Sequence, residues 1–91
     1  MKPIPFEAGR IVLSKQGRDQ GRLFVIMKVV DDQYVEMANG SSRKADHPKR
    51  KKIKHLHPKP VLAETIAACL ARGQLPMDSD LRKVLASEGD V

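Results

Sequence analysis

The sequence predicts a mainly β protein, in which a small five-stranded barrel is followed by two short α-helices. Five short apolar segments, separated by turns rich in glycine and polar residues, lie between residues 9 and 57. Two amphipathic, helix-forming stretches follow Pro60. With 91 residues the chain has room for one small domain with a thin core. Short strands linked in this way bury a face only if the sheet curls on itself, which favours a barrel.

The first two strands are predicted at residues 9–14 and 23–30, on either side of a polar loop at 15–22. Glycines at positions 17 and 21 mark this loop as a turn. In the second strand the apolar side chains occupy both faces, which predicts a strand buried on most of both sides. One face carries Leu23, Val25, Met27 and Val29, and the other carries Phe24, Ile26 and Lys28.

The remaining strands are predicted from alternation and turn residues. Residues 34–38 place Val35 and Met37 opposite Tyr34 and Glu36. Asn39-Gly40 is a strong hairpin signal, so a fourth strand is expected at 41–45. A fifth is expected at 52–57, where strict alternation sets Leu56 opposite Ile53. That strand is therefore either half-buried on both sides or interrupted by a bulge.

Two helices are predicted after Pro60, which is taken as the boundary between a barrel at 1–60 and a helical tail at 61–91. The first spans 61–72, with Leu62, Ile66, Cys69 and Leu70 on one face and Gly73 at its end. The second is capped by Asp78 or Ser79, buries Leu81, Val84 and Leu85, and ends at Gly89. These apolar faces either complete the core or dock on a protein neighbour.

The positive charge is concentrated in one segment. The chain has a net charge of +6. Residues 43–59 contain eight lysines and arginines against Asp46 alone, so the rest of the chain is close to neutral. Such a local excess predicts a polyanionic partner, with nucleic acid as the first candidate.

Other classes of protein are not favoured by the composition. No apolar run approaches the roughly 20 residues of a membrane span, and the single cysteine, Cys69, cannot form an internal disulfide. A cytoplasmic protein without membrane contact is therefore expected. No catalytic or phosphate-cradling pattern occurs, which predicts a non-enzyme without a cofactor. His47, His55 and His57 lack the further ligands that zinc requires, so no metal site is predicted.

Two basic segments are the candidate binding residues. Glycines in the 15–22 loop permit close approach of a sugar–phosphate backbone. The basic tetrad at 49–52 places more like charge together than a turn needs, which suggests a polyanionic partner; a solvated loop is the plainer explanation of this tetrad. Lys52 and Lys54 are expected to project to one face and to extend the loop's positive surface as one continuous stripe. The predicted RNA-binding residues are Lys15, Gly17, Arg18, Gly21, Arg22, Arg43, Lys44, Lys49, Arg50, Lys51, Lys52, Lys54, His55 and His57.

The few aromatic residues bear on the kind of nucleic acid. The chain has no tryptophan, one tyrosine and two phenylalanines. Phe24 is expected in the core, which leaves Phe6 or Tyr34 as exposed rings. Readers of single strands depend on stacking, so structured RNA held by its backbone is favoured.

Residues 9–30 resemble the KOW motif, a strand–loop–strand unit with a loop glycine, here Gly17. The stretch from Gly9 to Pro60, including Asn39-Gly40 and the ending Lys54-His-Leu-His-Pro58, is similar to small KOW proteins related to the large-subunit ribosomal proteins of the fourteen-e and twenty-seven-e types. Because the tail is short and rich in alanine, the likeness is to a bacterial-type, ribosome-associated relative.

The resemblance implies an SH3-like five-stranded barrel that binds RNA, usually ribosomal RNA, through the first loop and adjoining basic surface. On this sequence those contacts correspond to Lys15, Gly17, Arg18 and Arg22. Ribosomal proteins are a second candidate partner, through the C-terminal helices. Two other hypotheses stay open: a transcription or nucleoid-associated factor, and a protein adaptor that acts through its helical tail.

Overall fold

The computed structural model describes residues 4–89 and contains five strands and two helices. The strands are β1 (Arg10–Ser14), β2 (Leu23–Val29), β3 (Tyr34–Ala38), β4 (Lys49–Lys52) and β5 (Leu56–Leu62), and the helices are α1 (Glu64–Ala71) and α2 (Asp78–Ser87). A single 3-10 turn, Ile53–His55, joins β4 to β5. Neither helix in the described range has the length and apolar character needed to cross a lipid bilayer.

All five strands form one antiparallel sheet in the order β4-β3-β2-β1-β5. The outermost strands are consecutive in the chain, and four residue steps from Lys52 to Leu56 span at most about 14 Å. In a flat sheet, four strand spacings would separate them by about 19 Å. The sheet must therefore curl, which brings β4 and the 3-10 turn toward the β1–β2 loop.

The mainly β fold with two C-terminal helices is confirmed, but the sheet is open. No ladder joins β4 to β5 among the described residues. β4 is only four residues long, and Pro58 and Pro60 remove two backbone donors from β5. Both properties limit the hydrogen bonding that closure would require.

Two hydrophobic clusters cover the two faces of β2. Leu23, Val25 and Met27 pack with the helices, in a cluster that also contains Ile66, Leu81 and Leu85. Phe24 and Ile26 pack inside the curl with Val12, Val35, Met37 and Leu56. The prediction that β2 is buried on both faces is confirmed for residues 23–27, while Lys28 and Val29 are exposed.

The predicted positions of the fourth and fifth strands, 41–45 and 52–57, are wrong. Residues 41–45 form no strand, because the Asn39 side chain bonds within the loop: its Oδ1 accepts from the N–H groups of Ser41 and Arg43. β4 begins only at Lys49. The expected strand at 52–57 is divided by the 3-10 turn, so neither half-burial nor a bulge describes it.

β5 continues through Pro60 to Leu62, so α1 begins at Glu64 and is shorter than expected. The predicted boundary at Pro60 lies inside this strand, and the ends of the predicted domains, 1–3 and 90–91, lie outside the described residues. Both helices contribute to the cluster shared with the sheet. Their apolar faces are thus part of the core.

The start of α2 is fastened to the β3–β4 connection. Asp78 accepts a 2.7 Å hydrogen bond from the Ala45 N–H, and Arg82 donates one of 2.6 Å to the Gly40 carbonyl. Gly40 has φ of +78°, and a Cβ there would overlap the backbone carbonyl of Asp78. Close contact between this connection and α2 therefore depends on glycine.

Candidate nucleic-acid interface

The β1–β2 loop is a closed, glycine-dependent turn. The Ser14 N–H donates to the Arg22 carbonyl at 3.0 Å, and the Gly21 N–H donates to the Ser14 carbonyl at 2.8 Å. Gly17 and Gly21 have φ of +83° and +85°, a region costly for other residues. Lys15, at the start of the loop, and Arg18, in its middle, are both exposed.

Side chains of β4 reach directly onto this loop. The Lys49 ammonium lies 2.8 Å from Oδ2 of Asp19, and the Lys51 ammonium donates to the Gln16 carbonyl at 3.1 Å. A Cβ built on Gly17 would be 3.4 Å from the Lys51 Nζ. The structure therefore brings the glycine-rich loop and the basic tetrad side by side, although about 30 residues separate them in sequence.

Alternation along β4 divides the tetrad between two faces. Lys49 and Lys51 pair with Met37 and Val35 and point toward the loop, whereas Arg50 and Lys52 pair with Glu36 and Tyr34. The Arg50 and Lys52 charges lie 5.7 and 5.8 Å from the centre of the Tyr34 ring, within cation–π range. Because β4 ends at Lys52 and Lys54 lies in the 3-10 turn, the expectation that these two lysines project from one face of a single strand is wrong.

The charges of four lysines, from the β1–β2 loop, β4 and the 3-10 turn, act on the imidazole of His55. Its backbone carbonyl accepts a 2.9 Å hydrogen bond from the Lys15 N–H, which ties the 3-10 turn to the loop. Partial burial and the charges of Lys54, Lys51, Lys52 and Lys15 lower the pKa of His55. Both effects favour the neutral form of the imidazole.

The other predicted site residues lie around this centre or away from it. Arg43 and Lys44 belong to the β3–β4 connection, and the Arg43 charge acts on Asp19. His57 is exposed on β5, whereas His55 lies in the 3-10 turn. The two histidines therefore do not lie on one strand, contrary to the prediction of a strand at 52–57. Within residues 4–89, no group of three or more potential ligands is placed to hold a metal.

Asp19 is a site residue that the sequence reasoning missed. Its side chain is 14% exposed and lies at the junction of loop and β4. Burial raises the pKa of Asp19, but the hydrogen bond and charge of Lys49, with the charges of Arg43 and Lys51, lower it overall. A lone acid between two glycines was the available signal, but its partner is visible only once the sheet has curled.

Replacing Asp19 by asparagine is expected to lower the free energy of unfolding by about 1 kcal/mol or less at pH 7, because a partly exposed ion pair is screened by solvent. A carboxyl with a lowered pKa stabilises the fold above about pH 4 and loses that contribution as the pH falls further. Urea unfolding from pH 7 downward should therefore show the two proteins converging in acid. A gap that persists at the lowest pH would contradict the role of this ion pair.

This geometry describes a braced cationic surface made of the β1–β2 loop, β4 and the 3-10 turn; we refer to it as the basic rim. No protein-family model matches the chain.

Proposed function

We propose that this protein binds structured RNA through the basic rim, gripping phosphates rather than reading bases, and that it acts in association with the ribosome. The observation that carries the proposal is that two distant basic segments meet: the Lys51 ammonium donates to the Gln16 carbonyl of the loop, and the Lys15 N–H donates to the His55 carbonyl of the 3-10 turn. Charges brought together in this way repel one another, and a polyanion relieves the repulsion by replacing small counterions.

Positive charge that follows a curved surface favours the backbone of a folded polynucleotide. The loop glycines leave room for a sugar–phosphate backbone to approach closely, and the exposed Lys15 and Arg18 supply counter-charge on the same loop. Of the aromatic rings, Phe24 is buried and Phe6 packs against the inner cluster. Tyr34 alone lies among cations, which is too little for a surface that stacks successive bases.

The finer description of the fold belongs to the same proposal. A five-stranded sheet that curls so that its outer strands are joined by a 3-10 turn has the order expected of an SH3-like barrel of the KOW class. We propose that class for residues 9–60 on the strength of the resemblance in the loop and of this order.

Burial of the helices favours RNA binding over the adaptor hypothesis. Ile66, Leu81 and Leu85 are 1% exposed or less and pack against the sheet. An adaptor acting through its tail would need an apolar helix face directed outward. The exposed positions of α2 carry mainly polar residues, including Arg82, Lys83 and Ser87, whereas α1 exposes Glu64 and Thr65 beside two alanines.

Sedimentation and a choice of nucleic acids test the proposal. The protein should co-sediment with large ribosomal subunits at low salt and dissociate at high salt, with a log–log slope of about −0.7 to −0.9 for each phosphate neutralised. A double-stranded RNA should bind more tightly than DNA of the same sequence. Equal or tighter binding to DNA favours the transcription or nucleoid factor, and failure to bind either nucleic acid at low salt overturns the proposal.

Binding to RNA is expected to strengthen as the pH is lowered from 7 to about 5.5. Phosphates offset the lysine charges that lower the pKa of His55, so the imidazole takes up a proton in the complex. Calorimetry in buffers of different ionisation enthalpy measures this uptake. The His55→Gln variant should lose most of this proton uptake, and the two remaining histidines account for any residual uptake. An unchanged proton uptake would exclude His55 as its source.

A further inference from the structure

A cavity of about 340 Å³ opens beside the basic rim. It shares Lys52 and Lys54 with the charges that act on His55, and its other lining residues, Asp32, Gln33 and Ile53, are not used by the RNA-backbone proposal. One wall is the β2–β3 turn, which contributes Asp32 and Gln33. The other is the end of β4 and the 3-10 turn, which contribute Lys52, Ile53 and Lys54. Its volume lies at the lower end of the range for small-ligand sites, about 300–1,000 Å³.

Hydrogen bonds hold the two walls at a fixed separation. The Ile53 N–H donates to the Gln33 carbonyl at 2.8 Å, which links the walls directly. Within the turn, Oδ1 of Asp31 accepts hydrogen bonds of 2.8 Å from the N–H groups of both Gln33 and Tyr34. The cavity is therefore formed before any ligand arrives, which lowers the entropic cost of binding.

The lining has three chemically different parts. Ile53 packs against the inner hydrophobic cluster and offers an apolar surface. Lys52 and Lys54 supply positive charge on one side, and Tyr34 lies close enough to Lys52 for a cation–π contact. The Asp32 carboxylate and Gln33 amide, both exposed, supply an acceptor and a mixed donor and acceptor on the other side.

This combination of groups favours a nucleotide over simple anions and acidic peptides. Free phosphate would use the lysines alone, and an acidic side chain would be repelled by Asp32. A nucleotide uses every part: its phosphate meets the lysines, a face of its base lies on Ile53, and donors on its base edge meet Asp32. Guanine presents two adjacent N–H donors on its Watson–Crick edge, which a carboxylate can accept together.

We infer that this cavity binds a single unstacked guanosine of the RNA held by the basic rim. Lys52 and Lys54 belong both to the cavity and to the charges around His55, so a nucleotide displaced from a helix on the rim is close to the opening. The inference rests on the proposed RNA binding and adds a contact with one base. That contact selects RNA with a bulged or looped guanosine over a fully paired stem.

Two matched RNA hairpins test this selection by fluorescence anisotropy with the full chain. They share one stem, and one of them carries a single bulged guanosine. The wild type should bind the bulged hairpin about tenfold more tightly, since a two-bond contact to one base is worth roughly that factor or more. A bulged uridine should give no such gain.

Asp32→Asn should abolish the preference for the bulged guanosine while leaving affinity for the paired stem at or above the wild-type value. Glu88→Gln, which removes one negative charge from an exposed position after α2, is the control and should keep the preference. Equal binding of both hairpins by the wild type would overturn the cavity assignment and leave the backbone proposal intact. Failure to bind either hairpin at low salt would overturn both.

A second measurement needs no RNA helix. Guanosine 5′-monophosphate, uridine 5′-monophosphate and inorganic phosphate are titrated separately into the labelled protein, and backbone amide shifts are followed by NMR. Saturable shifts at Gln33, Ile53 and Lys54 that are largest for the guanosine nucleotide support the assignment. Equal shifts with all three would show a site for the phosphate group alone and would contradict it.

Discussion

Substituting glutamate for both Lys15 and Lys54 is expected to weaken binding to a double-stranded RNA about 100-fold at roughly 50 mM salt, because phosphate contacts supply most of such affinity. These lysines come from the loop and the 3-10 turn, and both contribute to the charge around His55. Both are exposed, and neither side chain donates a hydrogen bond to another of the described residues. The double substitution should therefore leave folding nearly unchanged, and the salt slope should become shallower by about two contacts.

A matched variant separates position from net charge. Arg72→Glu with Lys83→Glu changes the total charge by the same amount at exposed positions after α1 and within α2. Its affinity should fall only slightly, through the general field of the protein. Similar losses for the two double variants would mean that the rim has no special place in binding. Thermal unfolding of both variants is the control that checks whether the fold is retained.

Gly40→Ala is expected to lower the free energy of unfolding by about 3–5 kcal/mol, a large share of a small domain's stability. The added methyl group would overlap the backbone carbonyl of Asp78, and the φ of +78° at position 40 is itself unfavourable for alanine. Backbone cannot move aside as a flexible side chain can. The start of α2 would have to separate from the β3–β4 connection, with loss of the Arg82 hydrogen bond.

Gly73→Ala is the natural comparison. Gly73 has a similar φ of +74°, but a Cβ there meets no atom within 4 Å. It should show the conformational penalty alone, about 1–2 kcal/mol. Urea unfolding of the two variants isolates the effect of the contact with α2. Equal destabilisation would show that this contact contributes little.

Local patterns predicted the first three strands and the faces of β2 and β3 well. Alternation of large apolar residues decides which way a strand's side chains point, and turn glycines mark where the strands end. Gly17 and Gly21 have the positive φ values expected of the loop. Both helices were predicted, although α1 starts later because β5 continues past Pro60.

Prediction failed where the outcome depended on contacts distant in sequence. Asn39-Gly40 resembles a hairpin turn, yet its loop is shaped by Asn39 side-chain hydrogen bonds and by α2 packing above it. The Lys49–Asp19 pair, the division of the tetrad and the cavity all follow from curling of the sheet. The charge pattern therefore identified the two basic segments, but not how the curled sheet arranges them.

The two outer strands give this small protein protection against self-assembly. An open sheet exposes unpaired backbone groups, onto which a second copy could add a strand. β4 presents four consecutive cations there, and β5 carries two prolines that cannot donate. If the proposed function holds, the lysines that bind a polynucleotide also disfavour extension of the sheet by a second copy of the chain.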